Sequence, residues 1–513
     1  MSLARLLRGC TESGMMDILG SLFSWLPAEL WVMRPELCLT LAAFLTLVFS
    51  VPRRVFQPRW LGYFSIAVTA AVGAPLLDLF KRTSEMPGQE FVAWNDMFVV
   101  DPFAVFFKAL FLLAAILTML MSIRYLDVED AHTGEYYALI MFAVVGMMFM
   151  VSARDLILLF IGLETMSIST YILAGYLKRD RRSNEAALKY FLLGSFSTGI
   201  FLYGISLIYA VTGSTHLRVI SDAIAEGLVN HPLLVLGLIL MIVALGFKIA
   251  AVPFHMWVPD TYEGAPTTIT AFFSTGIKAA GFAIVLRILV EGMLSTRMHW
   301  APLVVILSAA SMTIGTLGAL LQDNVKRLLA YSSIAHVGYL LMGVLAVQRG
   351  AETGARGMVA ILVYLLAYTF MNMGAFGLVV GLRREGLVGD QVDDFTGLAR
   401  RAPFAAFAML VFMLSLGGIP TTAGFIGKWY LFGAAMKADY VWLAVLAVLT
   451  SAASLYYYLR VVVQMYMGEA VEEGGLRPSG ALASALGISL AFTLFIGLYP
   501  QPFVWLAQQV VLY

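Results

Sequence analysis

Apolar runs of about 20 residues recur along the whole of this chain, each long enough to cross a hydrocarbon core about 30 Å thick. This repetition limits the fold more than any other feature. A helix can satisfy its own backbone N–H and C=O groups where no water is present to do so. Only 13% of the 513 residues are charged and 60% are hydrophobic, too few charges for the surface of a water-soluble domain. The sequence therefore predicts an all-α integral membrane protein.

Window hydropathy divides the chain into about fourteen spans, near 28–50, 60–80, 102–123, 136–153, 155–176, 185–211, 232–252, 265–290, 300–320, 326–347, 356–381, 403–436, 440–467 and 480–507. The connections are short and polar and leave no room for a separate soluble domain. Residues 1–27 form an N-terminal extension. Arg5 and Arg8 precede an apolar stretch too short to span, which reads as an interfacial helix, a signal-like segment, or the product of a start upstream of Met15 or Met16.

Basic residues set the orientation. One set of alternate loops holds Arg53, Arg54, Arg59, Arg124, Lys178, Arg179, Arg181, Arg182, Lys326, Arg327, Arg383, Arg384, Arg400, Arg401 and Arg477. The other set has fewer, scattered singly or in pairs. The positive-inside rule places the first set in the cytoplasm and both termini on the outer, periplasmic side of the cell inner membrane. The net charge of +1 points to no nucleic-acid partner. Cys10 and Cys38 make no zinc or iron–sulfur spacing, and no dinucleotide fingerprint or P-loop is present. No cofactor is expected in this chain, and lipid is an obvious partner.

Two spans are broken. The seventh runs into Pro253, which would free the carbonyl of Ile249. The twelfth contains Gly417-Gly418-Ile419-Pro420, where Pro420 would free that of Leu416. Breaks at membrane depth survive only under protein or beside a water-filled cavity. They stand five helices apart, and an odd offset turns one unit over relative to the other. This predicts two inverted five-helix repeats, helices four to eight (136–290) and nine to thirteen (300–467), preceded by helices one to three (28–135) and followed by helix fourteen (480–513).

Few charges lie inside spans. Glu164 is central in the fifth, Lys189 is in the first turns of the sixth, and Lys248 is one turn ahead of Pro253. Lys278 and His336 are mid-span in the eighth and tenth, and Lys428 follows the break in the twelfth. Each costs about 2.5–3.5 kcal/mol or more at the bilayer centre and needs a partner or a cavity. Ser274 and Thr275 stand four and three residues before Lys278. Ser332, Ser333 and Tyr339 hold similar positions around His336. Hydroxyls both donate and accept, as a proton-carrying water file requires.

Lysine releases its proton when desolvated and regains it beside a carboxylate, so a changing Glu–Lys contact can drive proton exchange. Bland alternatives accompany each residue. Lys108, Lys189 and Arg287 read as cations snorkelling near helix ends. His336 reads equally as a structural hydrogen bonder, Glu164 as a static ion-pair partner, and His255 with Asp260 as a loop anchor or a metal pair. Lys248, Lys278 and Lys428 together point to a proton relay.

The stretches 152–176, 185–213, 246–267 (GFKIAAVPFHMWVPDTYEGAPT), 326–339 (KRLLAYSSIAHVGY) and 414–430 (LSLGGIPTTAGFIGKWY) resemble the N-type antiporter-like subunits of respiratory NADH–quinone oxidoreductase, complex I. The resemblance runs from about residue 100 to 502, in order. It implies fourteen helices with two inverted units, and a redox-driven proton translocase. Glu164 and Lys248 would be the coupling ion pair, with Lys189 near the cytoplasmic mouth. Lys278 would be the central relay, with His336 leading to Lys428 as terminal lysine. Lysine rather than glutamate at 428 separates the chain from M-type subunits, and the missing long lateral helix from L-type ones. FMN, iron–sulfur clusters and quinone would sit in partner subunits, and coupling would pass to a neighbouring antiporter-like subunit. A subunit of a multi-subunit cation/proton antiporter or of a membrane-bound hydrogenase is the main alternative.

Overall fold

The computed structural model describes residues 27–51, 58–85, 90–347, 352–383, 389–468 and 479–512. The predicted N-terminal extension up to residue 26, Arg53, Arg54, Arg384 and Arg477 lie outside the described residues. Within them are α1 (Arg34–Ser50), α2 (Arg59–Thr83), α3 (Pro102–Val128), α4 (Gly134–Ser152), α5 (Leu156–Ala174) and α6 (Arg181–Thr212). Then come α7a (Pro232–Ile249), α7b (Trp257–Gly264), α8 (Thr267–Gly292), α9 (Arg297–Leu320), α10 (Val325–Ala346) and α11 (Glu352–Leu382). The last are α12a (Pro403–Gly417), α12b (Ala423–Lys437), α13 (Val441–Met467) and α14 (Gly480–Leu498). Among the described residues, twelve helices are long and apolar enough to cross a membrane. α1 and the two halves of α12 are apolar but shorter.

Local chemistry explains where the helices start. Asp101, Asp155, Asp180, Asn324 and Ser479 each stand at an N-cap and accept a hydrogen bond from a first-turn N–H. α8, α10 and α11 are buried along almost their whole length and form the core of the bundle.

One device occurs twice. A β-carbon on Gly146 of α4 would meet Met166 N and Gly162 O of α5 at 2.5 and 2.6 Å; one on Gly315 of α9 would meet Ala335 N and Tyr331 O of α10 at 2.5 and 2.9 Å. Only glycine permits these close crossings. The N-cap residue of α5, Asp155, bridges to His216 beyond α6, and the N-cap of α10, Asn324, bridges to Gln391 beyond α11. The interval from Gly146 to Gly315 equals that from Asp155 to Asn324. In this common register His336 takes the place of Ser167, and Ser333 that of Glu164.

Both breaks share a geometry that differs from the expectation. The helix reverses before the proline. Ala250 (φ 66°) and Gly418 (φ 85°) take the left-handed conformation, and the next residue's N–H returns to Gly246 O at 2.8 Å or Leu414 O at 3.0 Å. Each is a six-to-one C-terminal cap, so the proline follows a helix already ended. The Val252 N–H is then taken by Ser311 Oγ of α9 at 2.9 Å.

The sequence reading passed over one feature. Phe91–Ala93 and Phe98–Val100 pair as an antiparallel hairpin, with Trp94, Asn95 and Asp96 at positive φ in its turn. The hairpin's flanks carry Glu90 and Asp101, and its turn Asp96, into an ion-pair cluster with Arg154, Arg218 and Arg287. Glu291 joins Arg154 at 2.6 Å and Arg287 at 3.0 Å. Arg287 is fully buried and bidentate on Asp101, so it does not snorkel.

Hydrogen bonds from Arg154, aided by Arg218, hold the Glu90 carboxyl at about 2 instead of 4.5, against the opposing effect of its burial. A depressed carboxylate contributes stability that is complete above its ordinary value and lost as pH falls toward the depressed one. Thermal inactivation of the solubilised protein should therefore steepen between about pH 4.5 and 2. Glu90→Gln should flatten that part of the profile; an unchanged acid limb would show that the hairpin clamp does not depend on Glu90.

Candidate functional site

The ionisable residues expected to form the relay lie on α5, α7a, α8, α10 and α12b. The Lys248 ammonium, on the last turn of α7a, donates to Ser167 Oγ on α5 at 2.6 Å, and the ring of Tyr171 lies 5.7 Å away. Glu164 stands one turn from Ser167. Its carboxylate accepts from Thr198 Oγ1 of α6 at 2.9 Å, and its side chain is partly exposed on the flank of the bundle. The pairing of Glu164 with Lys248 implied by the resemblance is not a direct ion pair here. The reason is one of position. Lys248 reaches the residue a helical turn further along α5, where the hydroxyl satisfies it.

Lys278 is buried and donates to both Ser333 Oγ (2.6 Å) and Ser333 O (2.9 Å) of α10. Ser274 and Thr275, expected to share its face, instead donate to Ala271 O at 2.8 Å. A π-helical turn over Phe273–Ile277 stands immediately before the lysine.

His336 stands between two tyrosines absent from the sequence reading. Its Nδ1 pairs with Tyr364 Oη, and its Nε2 with Tyr458 Oη at 3.1 Å. Tyr458 Oη also meets Ser332 Oγ at 2.5 Å. Ser333, which holds Lys278, and Ser332, which meets Tyr458, are consecutive on α10. Two neighbouring serines of α10 thus face Lys278 of α8 and Tyr458 of α13. Tyr339 meets Thr450 Oγ1 at 3.3 Å, and its ring lies 5.3 Å from the Lys428 ammonium.

Lys428 donates to Leu416 O at 2.9 Å, Gly417 O at 3.0 Å and Ser451 Oγ at 2.8 Å. It closes the helix break ahead of it, because the last carbonyls of α12a are the negative end of that helix. The carbonyl of Leu416, expected to be freed at this break, is thus satisfied by the lysine.

Lys189 differs from the others. It is 42% exposed and ion-paired to Glu185 at 2.8 Å and Asp260 at 2.7 Å. Asp260 also binds Arg327 at 2.9 Å, so its carboxylate is occupied by cations rather than shared with His255 as a metal pair. Lys326, read as a loop cation, is buried and caps α7b through Glu263 O and Ala265 O. Lys108 is also buried, with Glu36 of α1 at 2.6 Å, which corrects the snorkelling reading.

Lys326 thus meets backbone carbonyls, and the other buried cations fall into two kinds. Lys108, Arg34 and Arg287 each meet a carboxylate. Lys248, Lys278 and Lys428 meet only hydroxyls and carbonyls. A serine hydroxyl can accept from an ammonium or donate to a neutral amine, so these three sites suit both protonation states.

Residues 153–454 match the family model described as NADH:quinone oxidoreductase/Mrp antiporter, TM. The chain is 48% identical over 453 residues to NADH-quinone oxidoreductase subunit N 1 of Koribacter versatilis, covering 87% of this chain and 88% of the relative. A chain of respiratory complex I from Thermus thermophilus with bound aureothin superposes with a TM-score of 0.77 at 33% identity, covering 92% of this chain and 99% of that one. A chain of the Mrp complex from Dietzia sp. superposes with a TM-score of 0.80 at 23% identity, covering 94% and 96%. The last similarity is one of fold alone.

Proposed function

Because the chain belongs to the NADH–quinone oxidoreductase subunit N family, the antiporter-like membrane subunits of complex I, we propose that protons cross it along the line Glu164, Lys248, Lys278, His336 and Lys428. The carrying observation is the contrast among buried cations. The three relay lysines are each held by a serine hydroxyl, while Lys108, Arg34 and Arg287 are fixed by carboxylates and Lys326 by backbone carbonyls.

The step at each lysine is a proton exchange. An ammonium gives a proton to a water or hydroxyl on one side, and the resulting amine is reprotonated from the other. Moving one charge against 100 mV costs about 2.3 kcal/mol, which a swing of roughly two pH units in a lysine's proton affinity covers. Lys189, at the rim with Asp260 and Glu185, supplies the first lysine from the cytoplasmic mouth. Ser333, Ser332 and Tyr458 carry the proton from Lys278 to His336. Ser274 and Thr275 line the approach to Lys278 as acceptors, and Tyr339 bridges toward Lys428.

Two inverted five-helix units, helices four to eight and nine to thirteen of fourteen, provide the two half-channels. The repeated glycine crossings, the repeated strand-like bridges and the two capped breaks support this division. The basic residues of the loops support a periplasmic position for both termini. The chemistry of NADH, FMN, iron–sulfur clusters and quinone belongs to partner subunits, and the stroke reaches this chain through its membrane neighbours.

Tyr458→Phe tests the line without removing a charge. It deletes the hydroxyl between Ser332 and His336 and should slow proton translocation several-fold at unchanged assembly, on the scale of a lost proton-transfer partner. Proton uptake per NADH oxidised in reconstituted vesicles measures it, and full pumping would remove Tyr458 from the path. An Mrp-type antiporter or membrane-bound hydrogenase is separated by its partners, because flavin and iron–sulfur subunits should co-purify with this chain.

A further inference from the structure

The short helix α7b is gripped by α6 and by α10. On the α6 side, Lys189 donates to Asp260 Oδ2 at 2.7 Å, and a β-carbon on Gly264 would run into Arg182 O. On the α10 side, Arg327 donates to Asp260 Oδ1 at 2.9 Å and to Glu263 Oε2 at 2.8 Å. Lys326 beside it caps the C-terminal end of α7b through Glu263 O at 2.6 Å and Ala265 O at 2.7 Å. The two oxygens of Asp260 are thus divided between a lysine of α6 and an arginine of α10.

These two cations are not equivalent. Arginine keeps its charge, whereas lysine can lose its proton. A carboxylate favours the ammonium form of a lysine beside it, and does so less when a second cation draws on the same carboxylate. Glu185, 2.8 Å from Lys189, is the other carboxylate at that lysine and belongs to α6 itself. Glu263, the other partner of Arg327, belongs to α7b. Of these three carboxylates, Asp260 is the one that joins α6 to α10. Ser332, Ser333 and His336 stand five to nine residues beyond Arg327 on α10, so a shift of that helix which rearranges them also moves the guanidinium at Asp260.

We propose that Asp260 is a shared positioning residue through which α10 sets how firmly Lys189 keeps its proton, so that the second five-helix unit governs proton loading at the mouth of the first. This rests on the relay and the division into units proposed above. With Arg327 seated on Asp260, the grip on Lys189 is weakened and its proton is released to water toward Lys248. With Arg327 withdrawn, Asp260 turns wholly to Lys189 and the proton stays at the rim.

The test acetylates the assembled complex briefly with acetic anhydride at mildly alkaline pH and reads Lys189 by mass spectrometry, with the exposed Lys178 as internal reference. Only the neutral amine reacts, so the rate follows the share of Lys189 without a proton. Asp260→Asn should raise that rate about threefold or more, and Arg327→Gln should lower it by a similar factor. Asp260→Glu should restore the wild-type rate, and the double variant D260N/R327Q should follow Asp260→Asn, since no shared carboxylate is left for the arginine to release. Native electrophoresis verifies assembly. Faster labelling in both single variants, as a merely loosened α7b would give, would overturn the proposal. So would an unchanged rate in Arg327→Gln, or a double variant that follows Arg327→Gln. Proton uptake per NADH oxidised is measured alongside: the expected labelling with full pumping in Asp260→Asn would uphold the shared carboxylate while removing Lys189 from the proton path.

Discussion

Replacing Lys278 with alanine is expected to reduce proton translocation by the assembled complex roughly tenfold or more, while the subunit still folds. Among the described residues the lysine's side-chain partner is Ser333, whose hydroxyl also donates to Ala330 O at 2.7 Å. Removing the ammonium therefore strands no charge and leaves that hydroxyl satisfied. The proton line loses the one ionisable group between Lys248 and His336. Lys278→Arg sharpens the test, because a guanidinium keeps the charge and does not release its proton. If only a positive charge matters at this position, arginine restores pumping; if proton exchange matters, it does not. The measurement is proton uptake per electron in vesicles, with assembly verified by native electrophoresis. Full pumping by the alanine variant would sink the relay reading of Lys278.

The second large effect concerns stability. Lys108 and Glu36 meet at 2.6 Å with side chains 0% and 1% exposed, joining α3 to α1. Lys108→Met leaves a carboxylate buried among apolar helices without its partner, at a cost of about 3–5 kcal/mol. That is a large share of a membrane domain's stability, and little of the variant should accumulate in the membrane. The double variant Glu36→Leu with Lys108→Met removes both charges and should recover most of the lost protein, since a buried pair often stabilises no more than a packed apolar pair. Immunoblotting of membranes and thermal inactivation of the complex read both variants. The double variant should pump normally, because the pair lies away from the relay. Wild-type accumulation of Lys108→Met would show that Glu36 finds another partner.

Much of this was legible in the chain. Apolar runs give the helices directly, because a bilayer tolerates few other arrangements of the backbone. The relay lysines were visible because a cation amid Leu and Val is costly enough to stand out. What stayed hidden depends on contacts between distant segments. Tyr364 and Tyr458 sit in apolar runs where tyrosine is unremarked, and only the packing of α10 against α11 and α13 brings their hydroxyls to His336. Lys108 looked like an end-of-helix cation because Glu36 lies two helices earlier. The hairpin at Phe91–Val100 was too short to register against the spans around it.

The grip of Lys428 on Leu416 O and Gly417 O has a further consequence. These carbonyls end α12a, and a buried acceptor left empty is costly. When the ammonium swings away, water must follow into the break to replace it. Each excursion of the lysine is thus tied to wetting of the helix gap, and its return to drying. A side chain that stoppers its own helix end makes hydration of that gap a property of where one lysine rests.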